Sequence, residues 1–98
     1  MLDNHIHTYS NYLKILSNDM RLKIIIELSK CDLFFSDLMN KLQLKQSTLS
    51  NHISKLKEYG IIYTLNEGGF IELRLNKIIL KKYLGDDFFK PTTPSKND

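Results

Sequence analysis

The stretch LKQSTLSNHISKLKEYG, Leu44 to Gly60, places apolar residues at Leu49, Ile53 and Leu56, the three- and four-residue spacing of one helix face. Gln46, Ser47, Ser50, Asn51, Ser54 and Lys55 fall on the other face. Small hydrogen-bonding side chains thus gather near the start of the helix, and lysines toward its end. The spacing predicts a helix over about 46–59, closed by Gly60, where a left-handed residue stops a helix most easily.

Upstream, SDLMNKLQL predicts a short helix with Ser36 as N-cap and Asp37 in its first turn. Leu38, Met39 and Leu42 supply its inner face. Two short helices separated by a turn of a few residues match the helix-turn-helix pattern. Downstream, IIYTLNEGGFIELRL predicts a hairpin: a strand over Ile61 to Asn66, a turn at Glu67-Gly68-Gly69, and a returning strand over Phe70 to Leu75. The flanks are helical. Ile6, Tyr9, Leu13 and Leu16 predict a helix from about Thr8 to Ser17. NDMRLKIIIELSK predicts a second, capped by Asn18 or Ser17, with Met20, Leu22, Ile25 and Ile26 on one face and Leu28 beside them. LFF at Leu33 to Phe35 reads as a short extended segment, and NKIILKKYL as a last helix carrying Ile79, Leu80, Tyr83 and Leu84. The expected order is helix, helix, short strand, helix, helix, hairpin, helix. That is a mainly α chain with a small β-hairpin, a winged helix-turn-helix.

The 98 residues amount to one domain, expected over residues 1–89. The tail KPTTPSKND, residues 90–98, is expected to be disordered. A net charge of +3 is compatible with a nucleic-acid partner and does not establish one. The single cysteine, Cys31, excludes an internal disulfide. MLDNHIHTYSNY has no apolar signal core, and no run approaches the length of a membrane span. A cytoplasmic protein is expected. Neither a phosphate-binding glycine loop nor a nucleophile–base pair stands out, so the chain does not read as an enzyme.

A helix-turn-helix lays its second helix in the major groove. Gln and Asn pair with adenine, and Ser bonds to several bases, which makes Gln46, Ser47, Ser50 and Asn51 the candidate base contacts. Lys41, Lys45, Lys55 and Lys57 are candidates for phosphate, as is Arg74 on the returning strand. The terminal helices are more apolar than a small core needs. Tyr9, Tyr12, Leu13 and Leu16 at one end, and Ile78, Ile79, Tyr83, Leu84, Phe88 and Phe89 at the other, predict a homodimer interface.

LKILSNDMRLKIIIEL, QSTLSNHISKLKEYGII and GGFIELRLN resemble the opening segment, recognition helix and wing of the ArsR-type family of winged-helix repressors. The likeness covers roughly Leu13 to Asn76. It implies a homodimer that represses transcription at a palindromic operator, with Gln46, Ser47, Ser50 and Asn51 toward the major groove. His52 matches a common family histidine and is expected to pack within the domain rather than touch a base. Departures are equally specific. Asp19 stands for the family's proline, Gln43 for its turn glycine, and Lys45 for its serine before the recognition helix. Glu67 sits at a wing tip that is often basic in the family, where it would repel phosphate.

Many members release DNA on binding a metal. At the family's Cys-x-Cys positions this chain has Phe34 and Ser36, which offer no soft ligand. The last helix lacks the histidine of the other family site. No cofactor or metal is therefore expected, and no effector is identified. His5, His7 and Cys31 are the remaining metal-capable residues, and Cys31 is expected to be buried and inert rather than redox-active. The rival reading of the whole chain is a protein-interaction module without sequence-specific DNA binding.

Overall fold

The computed structural model describes residues 2–85, with side-chain surroundings from His5 onward. Its elements are α1 (Leu2–Leu16), α2 (Asp19–Lys30), β1 (Leu33–Phe34), α3 (Phe35–Leu42), α4 (Gln46–Glu58), β2 (Ile62–Glu67), β3 (Phe70–Leu75) and α5 (Lys77–Leu84). This is the expected order. The domain limit at residue 89, the tail, Phe88 and Phe89 lie outside the described residues.

α1 begins at Leu2 rather than near Thr8, since no glycine or proline interrupts the segment. Asn18 caps α2, its Oδ1 accepting from the Arg21 backbone N–H at 3.0 Å. Arg21 in turn donates through Nη1 to the Ile15 carbonyl at 3.1 Å, tying α2 back to α1. In α2 the buried residues are Ile24, Ile25 and Leu28, while Ile26 is exposed. Three consecutive isoleucines step by about 100° each and cannot share one face. Leu28 lies one turn beyond Ile24 and Ile25, and that stripe faces the core.

Ser36 is not the cap of α3. Leu33 and Phe34 pair with Leu73 and Glu72 of β3, so the chain stays extended through Phe34. The helix then starts at once at Phe35, leaving Phe34 as an N-cap without a side-chain hydrogen bond and Ser36 inside the first turn. The turn after α3 needs a left-handed residue, and Gln43 supplies it at φ 54°. The backbone N–H groups of Gln43 and Leu44 close the helix on Asn40 and Met39 carbonyls at 3.3 and 3.1 Å.

The sheet order is β1-β3-β2, all antiparallel. Glu67 pairs with Phe70, so the wing tip is the two-residue turn Gly68-Gly69. Both glycines have positive φ, 55° and 90°, as a tight hairpin turn matched to strand twist requires. The core draws on every helix: Leu16 of α1, the α2 stripe, Leu38 of α3, Leu49, Ile53 and Leu56 of α4, and Leu80 of α5, with Ile62, Leu73 and Leu75 from the sheet. α4 is therefore held from beneath along its whole length.

Candidate nucleic-acid interface

α4 is a helix with one buried stripe and a wide free arc. Leu49, Ile53 and Leu56 are buried, whereas Gln46, Ser47, Thr48, Ser50, Asn51, Ser54 and Lys55 are exposed. At about 100° per residue, Ser47, Asn51 and Ser54 run along the outermost line, and Ser50 lies toward the wing. No side chain among Gln46, Ser47, Ser50 and Asn51 makes a hydrogen bond within the described residues. The structure thus brings the four expected base-contacting residues together on one surface. Their donors and acceptors are not used by the fold. Thr48 and Ser54 share that surface. Ser54 was already read on this face from the sequence, and helix phase adds Thr48.

The cations differ among themselves. Lys45 is the N-cap position of α4 and, like Lys55, has no ion-pair partner among the described residues. Lys41 is paired with Glu27 at 3.1 Å across α3 and α2. Arg74 is doubly engaged, with Nη2 on Glu72 Oε1 at 2.9 Å and Nε 3.3 Å from Asp32 Oδ2. The nearby Lys41 and Lys30 hold the Glu27 carboxyl below its usual range, Lys41 first, against a smaller opposing effect of burial.

His52 lies on the flank of α4 that meets α2. It is half-buried, and its Nδ1 is enclosed without a hydrogen-bond partner. Burial, and then the charge of Arg21, push its pKa below the ordinary value. The imidazole is packed against the domain, where burial disfavours its charged form.

The wing is not basic at its tip. Glu67 and the glycines are exposed, and Phe70 packs against Phe34 with ring centroids 5.9 Å apart.

The terminal helices meet through tyrosines. The rings of Tyr12 and Tyr83 stack at 4.0 Å and 13°, and Tyr9 meets Tyr83 edge-on at 4.8 Å. Tyr12 donates its hydroxyl to the Tyr59 carbonyl at 2.7 Å, anchoring α1 to the end of α4. Burial and the neighbouring tyrosines raise the Tyr12 pKa. Leu16, expected at a dimer interface, is instead core, with 4% exposure. It sits one turn past Tyr12 on the side of α1 that closes over α2. Ile6, Tyr9 and Leu13 remain exposed at 63, 40 and 52% and form the apolar outer face of α1. Ile79 and Leu84 are half-buried against the core.

Cys31 is exposed, contrary to expectation. It follows the last residue of α2, where the chain leaves the core to reach β1. Phe34 and Ser36, at the family's cysteine positions, offer no thiolate, so these positions do not fit a soft metal. Among the residues described, no three His, Cys, Asp or Glu side chains gather as a metal site. No helix there is long and apolar enough to cross a membrane.

Comparison with known proteins agrees with this geometry. The profile of bacterial regulatory proteins of the arsR family matches residues 18–64. The arsenical resistance operon repressor of Staphylococcus aureus is 38% identical over 72% of this chain and 68% of its own length.

This chain belongs to the arsR family of bacterial regulatory proteins.

It is accordingly a DNA-binding transcriptional regulator and not an enzyme. The transcriptional activator HlyU of Vibrio cholerae is 32% identical over 70% of this chain and 64% of that protein. The homodimeric winged helix-turn-helix DNA-binding domain from Mycobacterium bovis shares the fold, with a TM-score of 0.70 and 18% identity over 90% of this chain and 87% of that one.

Proposed function

We propose that this arsR-family chain acts as a homodimeric repressor that reads a palindromic operator through α4. The observation that carries this is the polar face of Gln46, Ser47, Ser50 and Asn51, exposed and unspent on the fold, above a helix whose other face is fully buried. A rigid helix with unsatisfied short polar groups meets the demands of base-edge readout. Lys45 and Lys55, without carboxylate partners, are the phosphate contacts. Lys41 and Arg74 contribute only by giving up Glu27, Glu72 or Asp32. Repression, rather than activation, is supported by the likeness to the arsenical operon repressor.

The dimer forms through the outer face of α1. Ile6, Tyr9 and Leu13 line a shallow apolar groove of about 610 Å³ with His5 and Ser10, and a second copy laid across it covers surface that otherwise faces water. Two-fold symmetry then sets the recognition helices about 34 Å apart, one turn of B-DNA. Regulation does not run through the family's two metal positions, since their donors are replaced.

The test is selection of bound duplexes from a random pool, in parallel with Ser47→Ala/Ser50→Ala. Enrichment of an inverted repeat by the native protein alone is expected. Equal enrichment by both proteins would remove α4 from base readout.

A further inference from the structure

Between α4 and the wing lies a cleft of about 460 Å³ whose rim shares Ser50 with the base-reading face. Its volume is in the range of small-molecule sites, roughly 300–1,000 Å³. The floor is apolar: Phe35 from the first turn of α3, Ile53, Leu73, and Ile71 of β3. Ile53 and Leu73 are buried beneath it, while Ile71 is 45% exposed on its wall. The rim is polar. Ser50 and Ser54 come from α4 and Thr64 from β2, directly opposite Leu73 in the sheet register. None of these hydroxyls has a hydrogen-bond partner among the described residues. Lys57 and Glu58 complete the rim, one of each charge. Neither forms an ion pair there, with the other or with any described residue.

An occupant must match this set. It needs an apolar body for Ile53, Ile71 and Leu73. It needs an anionic group for Lys57 and a cationic group for Glu58, and it can use the hydroxyls as further partners. A DNA phosphate satisfies Lys57 and is repelled by Glu58. A simple carboxylic acid has the same defect, and an amine has the opposite one. A zwitterion with an apolar side chain meets both charges at once.

We propose that the α4–wing cleft binds a free apolar α-amino acid, and that its occupancy opposes DNA binding. The carboxylate is held by Lys57, the ammonium by Glu58, and the side chain lies on Ile53, Ile71 and Leu73. Ser50 belongs both to this rim and to the base-reading face, so ligand and DNA compete for it. The competition rests on the proposed role of Ser50, whereas the binding itself does not.

The full chain, labelled with ¹⁵N, is titrated with L-phenylalanine, 3-phenylpropionate and phenethylamine, and amide resonances are followed. L-Phenylalanine is expected to give saturable shifts at Ser50, Ser54, Thr64 and Ile71. Each analogue lacks one charge-assisted contact and binds at least about tenfold more weakly. Glu58→Gln removes the advantage of L-phenylalanine over 3-phenylpropionate, and Ile71→Asn, at an exposed wall position, abolishes the shifts while the rest of the spectrum stays folded. Absence of saturable shifts at millimolar ligand, shifts confined to α1, or equal binding of all three compounds overturns the proposal. In a second arm, L-phenylalanine at ten times its dissociation constant raises the apparent Kd for a selected duplex about tenfold. Unchanged DNA affinity with the cleft occupied overturns the competition. Failure to select any duplex would count against the DNA-reading account and leave the resonance arm intact.

Discussion

Gln43 shows how a single residue carries the geometry of the motif. It holds φ at 54° in the turn between α3 and α4, a conformation that disfavours any residue with a Cβ. Gln43→Gly is expected to raise stability by about 0.5–1 kcal/mol, measured as a higher denaturant midpoint at unchanged slope. His52 is the second residue with a definite consequence. Its folded pKa is lowered, by burial and then by Arg21, so the unfolded chain takes up a proton near the ordinary 6.5 while the folded one resists. The unfolded state therefore holds more protons below that pH, and stability falls as pH drops from about 6.5 toward the folded value. His52→Gln is expected to flatten the stability profile over that window, as followed by urea denaturation at stepped pH. The role of His52 was half legible in the sequence. The likeness to a common family histidine went with an expectation that it packs within the domain, but the facing Arg21 comes from another element. Cys31 was misread because burial at a helix end depends on where the chain goes next, which residue type does not encode.

At the scale of elements, periodicity was a dependable guide wherever one face was buried. α4 and the hairpin follow directly from apolar spacing and the paired glycines. The inner face of α2 was placed at Ile25 and Ile26 rather than Ile24 and Ile25 because a continuous β-branched run has no phase of its own, and only Leu28 and the packed neighbours choose the buried pair. The start of α3 was misplaced for a related reason. Ser36 has the chemistry of a cap, but pairing of Leu33 and Phe34 with β3 decides where extended chain gives way to helix. Long-range pairing of this kind leaves no local signature. Caps that the structure does use give a direct prediction. Asn76 accepts from the Ile79 N–H at 3.3 Å at the start of α5, as Asn18 does for α2. Asn18→Ala is expected to cost about 1 kcal/mol. The loss is expected in thermal or denaturant unfolding, without loss of fold.

For the whole molecule, the polar face of α4 and the apolar face of α1 lie on different parts of one small core, so the DNA-reading and self-association surfaces proposed above are tested by separate mutations. Leu13→Glu places a charge on the exposed α1 stripe without touching Leu16 in the core. It is expected to shift the protein to monomer in sedimentation equilibrium and to leave its helical circular dichroism unchanged. From the sequence the apolar terminal helices were expected to form a homodimer interface. The sequence could not separate Leu16 from Leu13, because both fit one helical repeat and only the position of α2 tells inner from outer. Tyr12 and Tyr83 were likewise assigned to an interface, yet their stacked rings first join α1 to α5 within the chain. The central claim concerns α4 itself. The most direct measurement is the affinity for a selected duplex in which single adenines are replaced by 7-deazaadenine, which removes the major-groove N7 acceptor, read with native protein and with Asn51→Ala. The account predicts a loss of about 1–3 kcal/mol at particular adenines, and no further loss at one of them in the variant. Indifference of the native protein to every such replacement, or identical losses in both proteins, would contradict it.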